Sequence, residues 1–141
     1  MRRRTKTQEL FDFEIAFYEK LLVAYPNFLD ALIPLAHAYT KNKQYDKGLD
    51  IDLRVVVLKN DDPLAWYNLA CSYALLKQAN ESLAALQKAI QFGYRDMRHL
   101  QQDPDLFYLR QSPEFHRYIA SLTESMASEN SPAPSAGTPK P

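Results

Sequence analysis

An all-α fold of stacked helix-turn-helix units is the architecture this sequence predicts, and three observations carry that expectation. The segment from Leu32 to Val56 recurs 34 residues later, pairing Leu32 with Trp66, Leu35 with Leu69, Ala36 with Ala70, Tyr39 with Tyr73 and Val56 with Ile90. Within one copy, Trp66, Leu69, Ala70 and Tyr73 stand at i, i+3, i+4 and i+7, which is one face of a helix. Only three glycines and no strand-turn alternation are present, which argues against a β fold. A helix pair of this kind cannot enclose its own apolar stripe. It buries the stripe against the next pair, so the units stack around a core built neighbour by neighbour.

A leading helix is expected over 8–25, opened by Thr5 and Gln8 as a capping box. Its Ile15, Tyr18, Leu21 and Leu22 fall in the frame of Leu49, Asp52, Val55 and Val56, so it is the second half of a unit. The first full repeat spans 29–62. Pro34 lies inside its first helix, removes a backbone donor, and predicts a local kink or a late helix start. The second helix is expected over 45–59 with Asp46 as cap; Val55, Val56 and Val57 alone suggest a strand, but the repeat register overrides them. The second repeat spans 63–96. Asp62 caps it, Pro63 takes the first helical place of a helix over 63–76, Asn80 caps the next helix, and Gly93 ends that helix near Phe92. Asp103-Pro104 and Ser112-Pro113 each put a capping residue before proline, predicting short helices near 95–101, 104–110 and 114–126 in a cap over 97–127. Residues 1–7 read as a flexible basic start, and residues 128–141, rich in Pro and Ser, as a disordered tail with nothing to bury.

At these residues the chain resembles the tetratricopeptide repeat (TPR) family, whose pattern runs W-x2-L-G-x2-Y followed by A, F, A and P at later places. Trp66, Leu69, Ala70 and Tyr73, then Ser82, Leu86 and Ala89, carry the match in the second repeat. Asp103-Pro104-Asp105-Leu106, with Leu109, Arg110, Pro113 and Phe115, resembles the degenerate closing segment of many bacterial TPR arrays, which caps the last apolar face. The resemblance covers about residues 10–122. Small residues at matched places, Ala36, Gly48 and Val55 in one copy and Ala70, Ser82 and Ala89 in the other, let helix backbones approach closely. Trp66 is expected as a large buried anchor whose loss costs ~3–5 kcal/mol. Asp52 departs from the pattern, standing where a large apolar residue belongs.

The resemblance implies a concave surface lined by the first helix of each unit. Ile33 and His37 would face it from one repeat, Tyr67, Asn68, Cys71 and Leu75 from the next, and Arg98 from the closing segment. Independently, the helix over 63–76 is apolar on nearly every side, so it has neighbours all round or presents an apolar groove. Such a groove accepts an extended or helical peptide through Ile33, Tyr67 and Leu75, with Asn68 placed to bond its backbone; alternatively the chain's own terminal helices fill it. The implied function is a noncatalytic protein-interaction adaptor. A chaperone-like holder of a partner subunit and a module that self-associates through its open ends, as a monomer or weak homodimer, are the alternatives. A clamp for the acidic carboxyl terminus of large chaperones is not expected, because its places hold Ile33, His37, Asn68, Arg98 and Gln102.

Charge and cysteine content narrow the remaining classes. Lys plus Arg equals Asp plus Glu at 17 each, so no global field draws the protein to nucleic acid, and Arg2, Arg3, Arg4 and Lys6 read as a solvated start. No apolar run approaches the ~20 residues that span a bilayer. The basic start runs into Glu9, Asp12 and Glu14, unlike a secretion signal. A single cysteine forms no internal disulfide and fits a reducing cytoplasm. His37 and Cys71 occupy equivalent places, yet neighbouring helix axes ~8–10 Å apart do not bring a thiol to a base. Cys71, His99 and His116 lack metal-ligand spacing, so neither metal nor cofactor is expected, and Asp50, Asp52, Asp61 and Asp62 read as a solvated face and a helix cap.

Overall fold

The computed structural model describes residues 4–130. Helix α1, Lys6–Ala24, starts two residues before the expected place. Thr5 Oγ1 accepts the Gln8 backbone N–H at 3.1 Å, which is half of a capping box. The Gln8 amide leaves the box open and donates instead to Asp12 at 3.2 Å and to Asn42 at 2.8 Å, tying α1 to the end of the next helix.

Two helix pairs follow: α2, Leu29–Lys41, with α3, Tyr45–Leu58, and α4, Pro63–Leu75, with α5, Ala79–Gln91. Helix α2 starts on time and runs through Pro34. The carbonyl that loses its donor is that of Asp30, an exposed residue in the first turn. Asp62 caps α4 as the sequence indicates, accepting from Leu64 N–H at 2.9 Å and Ala65 N–H at 3.4 Å. The expected caps of α3 and α5 are corrected. Asp46 and Asn80 lie inside the first turns, and Gln44 and Gln78 precede the helices without side-chain cap bonds.

The turns explain that shift. Gln44 N–H donates to Tyr39 C=O at 2.8 Å and Gln78 N–H to Tyr73 C=O at 2.9 Å, the wide loop-back bond of a Schellman ending. Each turn places a lysine, Lys43 and Lys77, in the left-handed region at φ 61°. So tight a reversal leaves no spare residue, and the next helix starts at once. Gly93, at φ 119°, ends α5 in the same way, with Tyr94 N–H donating to Ala89 C=O at 2.9 Å.

Packing runs in chain order, α1 on α2, α2 on α3, α3 on α4 and α4 on α5. The small residues sit at the closest approaches. Ser82, fully enclosed, donates its hydroxyl to Ala70 C=O at 2.7 Å, and a Cβ added at Gly48 would meet Thr40 Oγ1 at 3.0 Å and Ala36 C=O at 3.6 Å. The anchor role moves by one residue. Trp66 is only half-buried, stacking on Phe92 with its indole N–H on Asn60 C=O at 2.8 Å, whereas Tyr67 is buried and stacks on Tyr94 at 4.4 Å.

The closing segment comprises α6, Met97–Gln102, a 3₁₀ turn, Pro104–Leu106, then α7, Phe107–Arg110, and α8, Pro113–Asn130. Leu100, Leu106 and Leu109 are fully enclosed, and the 3₁₀ turn and α7 lie against α4. Helix α8 extends beyond its expected end at 126; residues 1–3 of the basic start and 131–141 of the tail lie outside the described residues.

Three substitutions separate these roles in urea denaturation. Leu86→Ala, at a fully enclosed site, is expected to cost ~2–5 kcal/mol. Ser82→Leu is expected to cost ~1–3 kcal/mol by forcing α4 and α5 apart. Trp66→Ala should cost about 2 kcal/mol, below the range for a fully buried tryptophan.

Candidate functional site

Helices α2 and α4 are the first helices of their pairs and present equivalent faces to the same side, while α6 and the 3₁₀ turn close over that side beside α4. Between them lies a cavity of about 310 Å³. Ala36, His37, Thr40 and Lys41 form its α2 wall, and Tyr67, Asn68, Cys71 and Ser72 its α4 wall. Asp52 of α3 reaches it from beneath, and His99, Asp103 and Asp105 border it from the closing segment.

Asp103 joins these parts. As N-cap of the 3₁₀ turn it accepts the Asp105 N–H on Oδ1 at 3.0 Å, which leaves Oδ2 free to accept the Tyr67 hydroxyl at 2.6 Å. The Cys71 sulfur lies 3.8 Å and His99 Nε2 3.2 Å from the same oxygen. Arg110 holds the backbone below, donating to Leu100 C=O at 3.1 Å and Asp103 C=O at 2.5 Å. The closing segment therefore fills the part of the concave face in front of Tyr67 and leaves the part between α2 and α4 open.

Asp52, expected on a solvated face, is instead buried at 6% exposure. The apolar place in the frame puts its side chain inward, where Ser72 Oγ donates to its Oδ2 at 2.5 Å. Burial pushes its carboxyl up to about 6, against the opposing pull of the Ser72 hydroxyl. Asp105 is also raised, by burial and then by the charge of Asp103, with His37 and His99 pulling the other way. The Cys71 thiol, 7% exposed, is pushed well above its usual value by burial and by Asp103 and Asp105. A cysteine nucleophile requires the opposite.

Of the residues named from the sequence, His37, Tyr67, Asn68 and Cys71 come together around the cavity. Ile33 and Leu75 are half-buried away from it, Ile33 packed against the core, and Arg98 is exposed on α6 outside the lining. Asp52, Ser72, Asp103 and Asp105 were not anticipated. Only Asp52 left a signal, as a charge in an apolar place. Among the described residues no three His, Cys, Asp or Glu side chains are placed to hold a metal ion, and no helix is long and apolar enough to cross a membrane.

Two helix-turn-helix units between a leading helix and a helical cap define an all-α TPR-type solenoid. Solved structures of MamA share it. The chain aligns with MamA 41-end from Desulfovibrio magneticus RS-1 at a TM-score of 0.65 and 24% identity, covering 87% of this chain and 68% of that one. The MamA RS-1 ArsTM double mutant aligns at a TM-score of 0.66 and 21% identity, covering 86% and 69%. In sequence the chain is similar to a chloroplastic protein of Arabidopsis thaliana, 34% identical over 95 residues. That match takes in 65% of this chain and 28% of the relative, so the chain spans less than a third of the relative's length. No protein-family model matches.

Two buried carboxylates lend themselves to measurement. Because the folded-state value of Asp52 lies above its ordinary 3.8, its contribution to stability is complete below pH ~4 and is lost as pH rises to about 6. Asp52→Asn, which still offers Ser72 an acceptor, should be about 3 kcal/mol more stable than wild type at pH 7.5 and gain nothing at pH 3.5, in chemical denaturation at both pH values. Asp103→Ala strands the buried Tyr67 hydroxyl. It should cost ~1–3 kcal/mol and speed amide exchange in residues 100–110.

Proposed function

We propose that this chain is a noncatalytic protein-interaction adaptor that holds an extended segment of a partner along α2 and α4. The observation that carries the reading is the open cavity between those two helices, where exposed His37 and half-buried Asn68 stand beside buried Tyr67 and Cys71. An extended peptide needs backbone partners and a side-chain pocket. The Asn68 amide, which takes part in no hydrogen bond among the described residues, supplies the first, and the cavity supplies the second. The raised Cys71 thiol supports binding over nucleophilic catalysis, and its single occurrence suits a reducing compartment such as the cytoplasm.

A second reading, self-association, draws on α1. Leu10, Phe13 and Phe17 form a stripe on its outer face, with Phe13 at 69% exposure, at the end of the array where a further helix would stack. Sedimentation over a concentration series tests it, and an unchanging monomer would remove it.

The adaptor reading is tested by capture from native lysate with mass-spectrometric identification. Tyr67 is a packing residue, so the comparison variant is His37→Ala with Asn68→Ala, which leaves the core untouched. At least one partner is expected to bind wild type and to fall roughly tenfold with the variant. Equal capture by both proteins would sink the groove as the binding site.

A further inference from the structure

Three features remain once the fold and the groove are accounted for: the outer stripe of α1, a shallow cleft at Tyr25 and Phe28, and the charge inside the concave cavity. The third goes furthest. Asp52, Asp103 and Asp105 face the cavity against one lysine, Lys41, which is exposed at its edge, with His37, His99, Tyr67 and Cys71 as the other titratable groups of its wall. These carboxylates are not equally engaged. Asp103 is occupied by Tyr67, His99 and the 3₁₀ turn, whereas the Asp105 side chain makes no hydrogen bond or ion pair among the described residues.

Asp52 is the independent sign. It is more than nine-tenths buried, yet only Oδ2 is partnered, by Ser72; Oδ1 accepts no hydrogen bond from any described residue although the side chain lines the cavity. The Oδ1 atom is not among the buried atoms left without a partner, so it opens onto the cavity, where an entering donor can meet it. A donor that also carries positive charge answers both Asp52 and Asp105.

Resting on the adaptor reading above, we propose that the cavity is a specificity pocket for a lysine or arginine side chain of the bound segment. Its cationic head would sit between Asp105 and the free oxygen of Asp52, and its aliphatic stem along Ala36 and Tyr67. A volume of about 310 Å³ accommodates such a side chain, and the sign of charge is opposite to what a carboxylate-ended partner requires.

The test is a bead-bound library of N-acetylated hexapeptides screened with the full chain, acetylation excluding recognition of a chain terminus. Bound sequences should share Arg or Lys at one position. In the tightest peptide, replacing that residue by Gln should weaken binding roughly tenfold, and Asp105→Asn or Asp52→Asn in the protein should weaken the parent peptide by a similar factor while the circular dichroism spectrum is unchanged. A shared motif without a basic position would overturn the pocket and leave the groove standing. A basic position insensitive to both protein variants would overturn it equally, since the cation would then be read elsewhere. Absence of any bound bead would overturn the pocket together with peptide binding in the groove.

Discussion

Close approach of paired helices at small side chains is the constraint on which the rest of this molecule depends. Ser82 meets the Ala70 carbonyl and turns that polar contact into a hydrogen bond of 2.7 Å, and at Gly48 an added Cβ would press on the Thr40 hydroxyl at 3.0 Å. With the axes that near, each first helix is enclosed by its own partner and by the second helix of the preceding unit. The stack α1 to α5 follows, and with it the equivalent presentation of α2 and α4 on one side.

The closing segment then decides how much of that side remains available. Asp103-Pro104 ends α6 after Gln102 and turns the chain into a 3₁₀ turn. The break gives Asp103 two roles with two oxygens, one capping its own turn and one reaching Tyr67. Because the tyrosine is stacked on Tyr94, the carboxylate meets a rigid donor, while the Tyr94 hydroxyl itself is buried without a hydrogen-bond partner among the described residues. Farther along the groove, Asp52 keeps one oxygen and Asp105 its side chain without a partner among the described residues, both at the open cavity.

Asp52 is the place where local and global demands disagree. The repeat requires an apolar side chain there, and the chain supplies a carboxyl with one hydroxyl partner, raised to about 6 by its burial. Natural sequences break their own packing rules most often where a site needs the broken piece. The location of this departure on the floor of the concave cavity is consistent with that general pattern.

Much of the architecture was legible in the sequence because helix periodicity and a 34-residue recurrence are properties of residues near one another in the chain. The start of α4 and the end of α5 were legible for the same reason, since Asp62-Pro63 and Gly93 act on their own backbone. The missing side-chain caps before Tyr45 and Ala79 were not, because they depend on reversals that force Lys43 and Lys77 into a conformation lysine seldom signals. The resemblance to the repeat family implied a concave position for His37, Tyr67, Asn68 and Cys71, which line the cavity, and equally for Ile33, Leu75 and Arg98, which do not. Which of them would be buried was not legible, and neither was the arrival of Asp103 and Asp105, because α6 and the 3₁₀ turn fold back across more than thirty residues to reach α4. The sequence by itself determined the helices and the order in which they stack, through contacts between neighbours in the chain. Tertiary structure alone decided the chemistry of the cavity, because its carboxylates converge from separate elements and acquire their charge and burial only when those elements meet.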